Sequence, residues 1–332
     1  MNRVLRSQFV KTIFIRLLSS LLTLFLLVSF LFFIIRLSPG DPTDKYVSAK
    51  LGSELSERIA EKFSLNQPVA DQYFAFVSNI FKGDLGVSYN YRLSVFEVIW
   101  EYFSFTLIFA SISFIIQISL SILLAIRVVR KQNKRIEQIS TNLSLFVYSI
   151  PAFVLGVTLI YIFSVHLNLL PISGLKSLDH DELSFFPRIF DQLYHLILPL
   201  ITLSVGGVAL FYKYIKESMD EIKNHTFVAN LRATGLDENL ILRKHILPNA
   251  IRPLISVAGV ELGIILGGTL ITEVIFSLPG MGRLAIDSIL SRDYPLVIGC
   301  VFTAGTVMIF ANFLADLAKL KIDKRMIKGI LN

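Results

Sequence analysis

The chain has 332 residues, of which 54% are apolar and 17% charged, with a net charge of +7 and a single cysteine, Cys300. A water-soluble domain of this size needs far more polar surface to cover its core, so composition argues against one. One cysteine excludes an internal disulfide, and inside an apolar block it reads as a small hydrophobe. The Lys and Arg residues sit in short clusters between apolar blocks, which suits an anionic membrane face and does not by itself imply nucleic acid.

Arg3, Arg6, Lys11 and Arg16 precede the first apolar run, about Leu17–Ile35. That run is too long for a signal-peptide core and ends in RLSPGDP instead of small-x-small cleavage residues. It is expected to remain as a first transmembrane helix behind a cytoplasmic N-terminus, residues 1–16. Residues 36–102 then form the largest external piece. SPGDP opens it with a turn. Leu55, Ile59 and Phe63 recur at helical spacing, NQP breaks the pattern, and Tyr73, Val77, Ile80 and Phe81 mark a second amphipathic helix. KGDLGVS closes the region, and the whole is read as a small helical cap.

Five further runs are long enough for about 30 Å of hydrocarbon: Phe103–Ile126, Ile139–Val165, Tyr194–Tyr214, Ile251–Phe276 and Leu296–Ala318. Open-ended segments satisfy their backbone in lipid only as helices. The expected fold is therefore an all-α integral membrane protein of six transmembrane helices, with a membrane core over residues 103–320 and a tail at 321–332. RVVRKQNKR follows the second span, and Lys216, Lys223, Arg232, Arg243 and Lys244 follow the fourth. Lys319, Lys321, Lys324, Arg325 and Lys328 crowd the end. Cytoplasmic loops collect Lys and Arg, so both termini are placed in the cytoplasm. Pro151 and Pro199 fall inside the third and fourth spans, where prolines are expected to kink a helix without ending it. Gly206-Gly207 and Gly267-Gly268 leave flat patches for close helix approach.

Two loops carry candidate sites. The loop over residues 216–249 is patterned as two short helices, the first ending at RATG, with Gly235 in the terminating position that takes positive φ. Asp237 can cap the second, and Pro248 in LPN is expected to break it. A compact inward-facing knob of this kind suits docking into a partner's groove. Before the sixth span, SLPGMGRLAIDSILSRDYP holds Pro279, Gly280 and Gly282 as turn formers. They are followed by a short helix over Leu284–Leu290 and then by Arg292, Asp293 and Tyr294. It reads either as an element of an outer gate or as an ordered cap.

At the knob the sequence resembles a known family. NHTFVANLRATGLDENLILRKHILPN is similar to the coupling loop of binding-protein-dependent ABC importer permeases. Ala229, Ala233, Gly235, Leu247 and Pro248 match the pattern, with Asn230 and Leu231 standing where alanines are usual. RLSPGDP, FKGDLGVSY, SIPAFVLG, LNLLPISG, FSLPGMGRLAIDSILSRDYP and IDKRM follow in the order of the first permease subunit of dipeptide and oligopeptide importers; the last stands where the family usually has Asp-Pro-Arg. LKSLDHDELSFFPRIFDQLYHLILP is similar to a subgroup that also imports peptide-like antibiotics. The resemblance implies a second homologous permease, two ATPase subunits and an external substrate-binding protein. It also implies a coupling role for Ala229, Arg232, Ala233, Gly235, Leu236, Asp237, Leu247 and Pro248, and peptides or peptide-like compounds as cargo, with nickel complexes or other small solutes as the alternative.

No GxxxxGK[ST] loop occurs, so ATP and its Mg²⁺ are expected on the partner ATPases and no cofactor on this chain. Ionisable residues inside spans are costly and mark function by default. Glu261 is weighed between a pore-facing and a packing role, and Glu273 is read as an anchor for the SLPGMG turn. His166, His180, His195, His225 and His245 have no metal-ligand spacing, and neither HExxH nor GxSxG appears, so neither a metal site nor an enzyme is expected. A secondary transporter is the main rival, but no internal repeat supports it.

Overall fold

A computed structural model describes residues 3–37, 68–131 and 133–322. These residues are helical apart from turns and one isolated antiparallel bridge between Val87 and Ser94. In order they form α1 (Arg3–Leu37), α2 (Val69–Phe81), α3 (Val95–Lys131), α4 (Lys134–Ser149), α5 (Ala152–Leu159) and α6 (Phe185–Lys223). There follow α7 (Thr226–Ala233), α8 (Glu238–Leu240), α9 (Leu247–Ile251), α10 (Leu254–Ile275), α11 (Met281–Leu290) and α12 (Tyr294–Ile322). The Leu55–Phe63 pattern, the SPGDP turn and the basic cluster at Lys324–Lys328 lie outside the described residues, as does the packing around Gly267 and Gly268.

Among the described residues, four stretches are long and apolar enough to cross a membrane: Phe14–Leu37, Val95–Lys131, Phe185–Lys223 and Tyr294–Leu314. A fifth arises if Lys134–Ser149 and Ala152–His166 count as one bent span. Here the expectation of an uninterrupted, merely kinked helix fails. The chain turns by 94° at this break. Ile150 takes ψ 121 and Pro151 becomes the N-cap of α5, because a residue before proline is pushed out of the α region. Pro199, by contrast, stays inside α6. The expected pattern over Ile251–Phe276 corresponds to α10.

Two compact units are present. The first contains Leu107–Leu278. In it, α3 and α6 are joined by a buried polar ladder. Ser113 Oγ meets Ser204 Oγ at 2.9 Å, and Gln117 Nε2 donates to Ser113 Oγ and to the Leu203 carbonyl, each at 3.2 Å. Ser121 Oγ donates to the Val208 carbonyl at 3.0 Å. Gly207 makes room for it, since a Cβ there would sit 2.0 Å from Gln117 Oε1. Small and hydrogen-bonding residues hold membrane helices together because lipid offers apolar groups no reason to leave it. Toward the other end of these helices, Phe211, Tyr212, Ile215 and Met219 of α6 pack with Val128 and Val129 of α3 and with Ile241, Ile246 and Leu254.

The second unit comprises the described parts of Val10–Thr106 together with Pro279–Ile309. Here α2 lies on α1 through Phe32 stacked on Phe76 at 4.9 Å and Phe33 on Tyr73 at 5.1 Å. The expected amphipathic pattern holds for Tyr73, Val77 and Ile80. Phe81, however, is 81% exposed, and it is Phe76 that completes the packed face.

Candidate functional site

The knob belongs to the first unit. Its first helix, α7, stops at Thr234, whose hydroxyl donates to the Leu231 carbonyl at 2.7 Å. Gly235 follows with φ +76. Nothing lies within 4 Å of where its Cβ would be, so backbone conformation and not space requires glycine. Asp237 then caps α8, its Oδ2 accepting the Asn239 and Leu240 amides at 2.9 and 3.1 Å. Arg232 Nε bonds Glu238 Oε1 at 2.6 Å, spanning the turn from one helix to the other.

Val228 and Ile241 are fully buried and Ile246 nearly so, fastening the knob to the core of its unit. Where water is the alternative, each such side chain contributes about 1.5–3 kcal/mol. Ala229, Ala233, Gly235, Leu236 and Asp237 all face outward, with Arg232 half-buried beside them. Six of the eight expected coupling residues are thus exposed or half-exposed on the α7–α8 turn and the helix before it. Leu247 is not among them, for it packs partly against the core, and Pro248 is exposed one helical segment further on. Pro248 also does not break the helix. The chain runs from α8 through a π-helical segment, Ile241–Ile246, directly into α9. A proline clashes with the carbonyl four residues back, and the wider π turn ahead of it accommodates the ring.

Near the knob, Lys216 is paired with Glu137 of α4 and, at 2.9 Å, with Asp220 of α6. The sequence shows the Lys216–Asp220 spacing, but Glu137 is 79 residues away and only the fold brings it in. Glu238 was likewise missed, although its six-residue separation from Arg232 across a glycine turn was a readable signal.

Glu261 and Glu273 lie on α10, the first half-buried and the second fully buried. The Glu273 carbonyl accepts the Leu278 amide at 2.8 Å, which ties the backbone of the SLPGMG turn to the helix end. In the same unit, Gly174 donates to the Phe276 carbonyl at 2.8 Å. His180 and His195, unrelated by metal-ligand spacing, both address Asp191 through Nδ1, at 2.6 and 3.4 Å. Among the described residues no group of three or more His, Cys, Asp or Glu could hold a metal ion.

The remaining expected residues lie in the second unit. Gly280 caps α11 with φ −111, and Gly282 is inside that helix, so neither uses positive φ. Within SLPGMGRLAIDSILSRDYP the left-handed positions are Ser277, which belongs to the first unit, and Arg292, at φ 52 and 56. Asp293 is fully buried and is the hub of this region. Its Oδ2 accepts from Ser88 Oγ at 2.5 Å and from the Asn90 amide at 3.0 Å, and its Oδ1 accepts the Leu296 amide at 3.4 Å. Asn90 Nδ2 adds a bond to Ser291 Oγ at 2.5 Å, and Tyr89 meets Tyr294 edge-on at 6.4 Å. Burial holds the Tyr89 phenol above its ordinary range, keeping it a neutral ring. Ser88 and Asn90 were not singled out from the sequence, because their partner lies about 200 residues away.

Comparison with known proteins agrees with this architecture. A family model described as binding-protein-dependent transport system inner membrane component matches residues 117–328, and a model of the N-terminal part of such membrane components matches residues 9–110. The chain is 31% identical over 296 residues to the oligopeptide transport system permease protein AppB of Bacillus subtilis (strain 168), covering 89% of this chain and 92% of that one. It is 29% identical over 319 residues to the nickel import system permease protein NikB of Staphylococcus aureus (strain USA300), covering 95% and 92%. A crystal structure of an amino acid ABC transporter with histidines superposes with TM-score 0.50 at 16% identity, covering 68% of this chain and 94% of that one, a likeness of fold. Members of such a family are transport subunits and not enzymes. By these matches the chain belongs to the binding-protein-dependent transport system inner membrane components.

Proposed function

We propose that this chain is one of two homologous membrane subunits of an ATP-driven importer for peptides or peptide-like compounds, and that Thr226–Ile246 is its docking knob for an ATPase. Membership in the family implies ATPase partners and a substrate-binding protein. Our reading adds two ATPase subunits, a second permease of similar sequence and six membrane spans with both termini in the cytoplasm. The bent pair α4–α5 then counts as one span and α10 as another. Residues 36–102 are external, 103–320 form the membrane core, and the basic loops and the 321–332 tail face inward in keeping with their Lys and Arg content.

One observation carries this reading. Ala229, Ala233, Gly235, Leu236 and Asp237 are exposed and Arg232 half-exposed, while Val228, Ile241 and Ile246 root the same segment in the core. Force applied to the surface reaches α6 through packed side chains, as coupling of two states requires. Nucleotide-driven closure of the ATPases would move the knob and expose the pore alternately to each side. Pro279–Tyr294 serves as part of the outer gate, with Glu261 and Glu273 as candidate pore residues.

Cysteines placed at Ala233 and Leu236 should crosslink to an ATPase subunit in the intact importer, and the crosslink yield should change when ATP is bound. A chain that crosslinks to no ATPase and moves solute without one would sink the reading. Cargo is tested separately, by competing unlabelled peptides and nickel chelates against labelled peptide uptake. Peptide is expected to compete, and competition by the chelate alone would transfer the assignment to nickel, which the Staphylococcus aureus relative is named for.

A further inference from the structure

Helix α4 is amphipathic the wrong way round for a helix held by a hydrophobic core. None of its residues is buried. Ile139, Leu143 and Phe146 are exposed, whereas Glu137, Ser140, Thr141 and Ser144 occupy the half-covered face. On α6, the buried Tyr212 hydroxyl stands beside Ser140 and Thr141, and Lys216 is bonded to Glu137. Ile136 adds an apolar contact with the core cluster. Lipid gives apolar faces little reason to stay together, so this polar seam is what fastens α4 to α6.

Lys216 has two carboxylates. Asp220, one turn further along α6, lies 2.9 Å from its ammonium, and Glu137 approaches from α4. The Lys216 side chain is 15% exposed, so its charge needs a partner, and Asp220 supplies one from the same helix. Losing Glu137 therefore strands no charge; what its bond adds is a link between two helices. The link lies at a sensitive place. Ile215 and Met219 of α6 share a buried cluster with Val228 and Ile241 of the knob segment. At its other end α4 turns by 94° into α5. Gly156 of α5 sits so close to α6 and the end of α10 that a Cβ there would lie 3.2 Å from Thr202 Cγ2 and 3.5 Å from Phe276 Cε2. Lys216 and Thr202 stand about 21 Å apart along α6. The α4–α5 elbow thus meets α6 at two levels, one beside the knob and one beside Phe276.

We propose that Glu137 and Lys216 are positioning residues for coupling. Their bond is a strut that makes the α4–α5 elbow follow α6 when the knob moves, carrying the motion to Phe276. This rests on the knob being the dock for an ATPase. The test uses the complete importer in proteoliposomes, read as labelled peptide uptake per ATP hydrolysed, together with the crosslink from Ala233→Cys to an ATPase. Glu137→Gln should lower uptake per ATP about five-fold or more, while the crosslink and the melting temperature stay as in the unaltered complex. Glu217→Gln, which removes an exposed carboxylate facing Lys213 within α6, should leave all three readings unchanged. Unchanged uptake per ATP in Glu137→Gln with the crosslink intact would overturn the strut and leave the knob standing, whereas absence of the crosslink with Glu137 in place would overturn both. Should Glu137→Gln fail to assemble, spin labels at the exposed Leu143 and Glu217 decide, with the ion pair intact. Equal separation of the labels with and without bound ATP supports the strut, and a separation that changes with ATP overturns it.

Discussion

Gly235 offers the sharpest test of the knob. Its φ of +76 lies in the left-handed region, which costs an L-residue about 1–2 kcal/mol. No atom lies within 4 Å of the missing Cβ, so a side chain meets no clash and the cost is purely conformational. The expected order of damage is therefore Asn, then Ala, then Val. Asn tolerates this region best, and a β-branched residue tolerates it least. At 1.4 kcal/mol per tenfold, Gly235→Ala should lower the population of the native turn by about 5- to 30-fold relative to its frayed forms. Helix α7 and the π-helical segment that follows α8 are separately anchored through Val228 and Ile241, so the subunit should still assemble with a nearly unchanged melting temperature. The assay is uptake per ATP hydrolysed, with all subunits reconstituted in proteoliposomes. The ratio should fall in the order given. Equal coupling in Gly235→Asn and Gly235→Val would refute the claim that the left-handed turn matters.

Three other perturbations follow from the geometry. Asp237→Ala removes a side chain that caps two amides and should cost the knob about 1 kcal/mol, seen as faster hydrogen exchange over 238–242. Gly207→Ala drives a methyl into Gln117 and should destabilise the α3–α6 contact by about 1–3 kcal/mol; adding Gln117→Ala should recover much of it in a thermal-unfolding double-mutant cycle. Asp293→Ala strips a buried acceptor from Ser88, Asn90 and Leu296 and should cost about 3 kcal/mol or more. Limited proteolysis should then cut the segment around residues 84–94, and protection equal to the unaltered protein would contradict the hub role.

How much of this was legible in the residues depends on the range of the interaction. The turn at Gly235 and the cap at Asp237 are local. Helix-terminating glycine and capping aspartate act on backbone groups two or three residues away, so the string RATGLDENL is enough to place them. The apolar runs are local in the same sense, because a bilayer tests each segment for length and polarity by itself. The clearest failures were at prolines. Pro151 and Pro199 look alike in apolar context, yet one ends a helix with a 94° turn and the other is absorbed. Pro248 is carried by a π segment that no local rule indicated.

Membrane character, helical class, the knob's turn and the absence of a phosphate-binding loop were thus determined by the sequence alone, since each depends on contiguous residues. Only the tertiary structure decided that Asp293 gathers Ser88 and Asn90, that Lys216 reaches Glu137, and that Gly207 exists to admit Gln117. Those partners are separated by 79 to 205 residues, or depend on which faces of α3 and α6 meet. Helix rotation and packing set them, and an apolar helix that satisfies lipid on every side carries little record of its rotation.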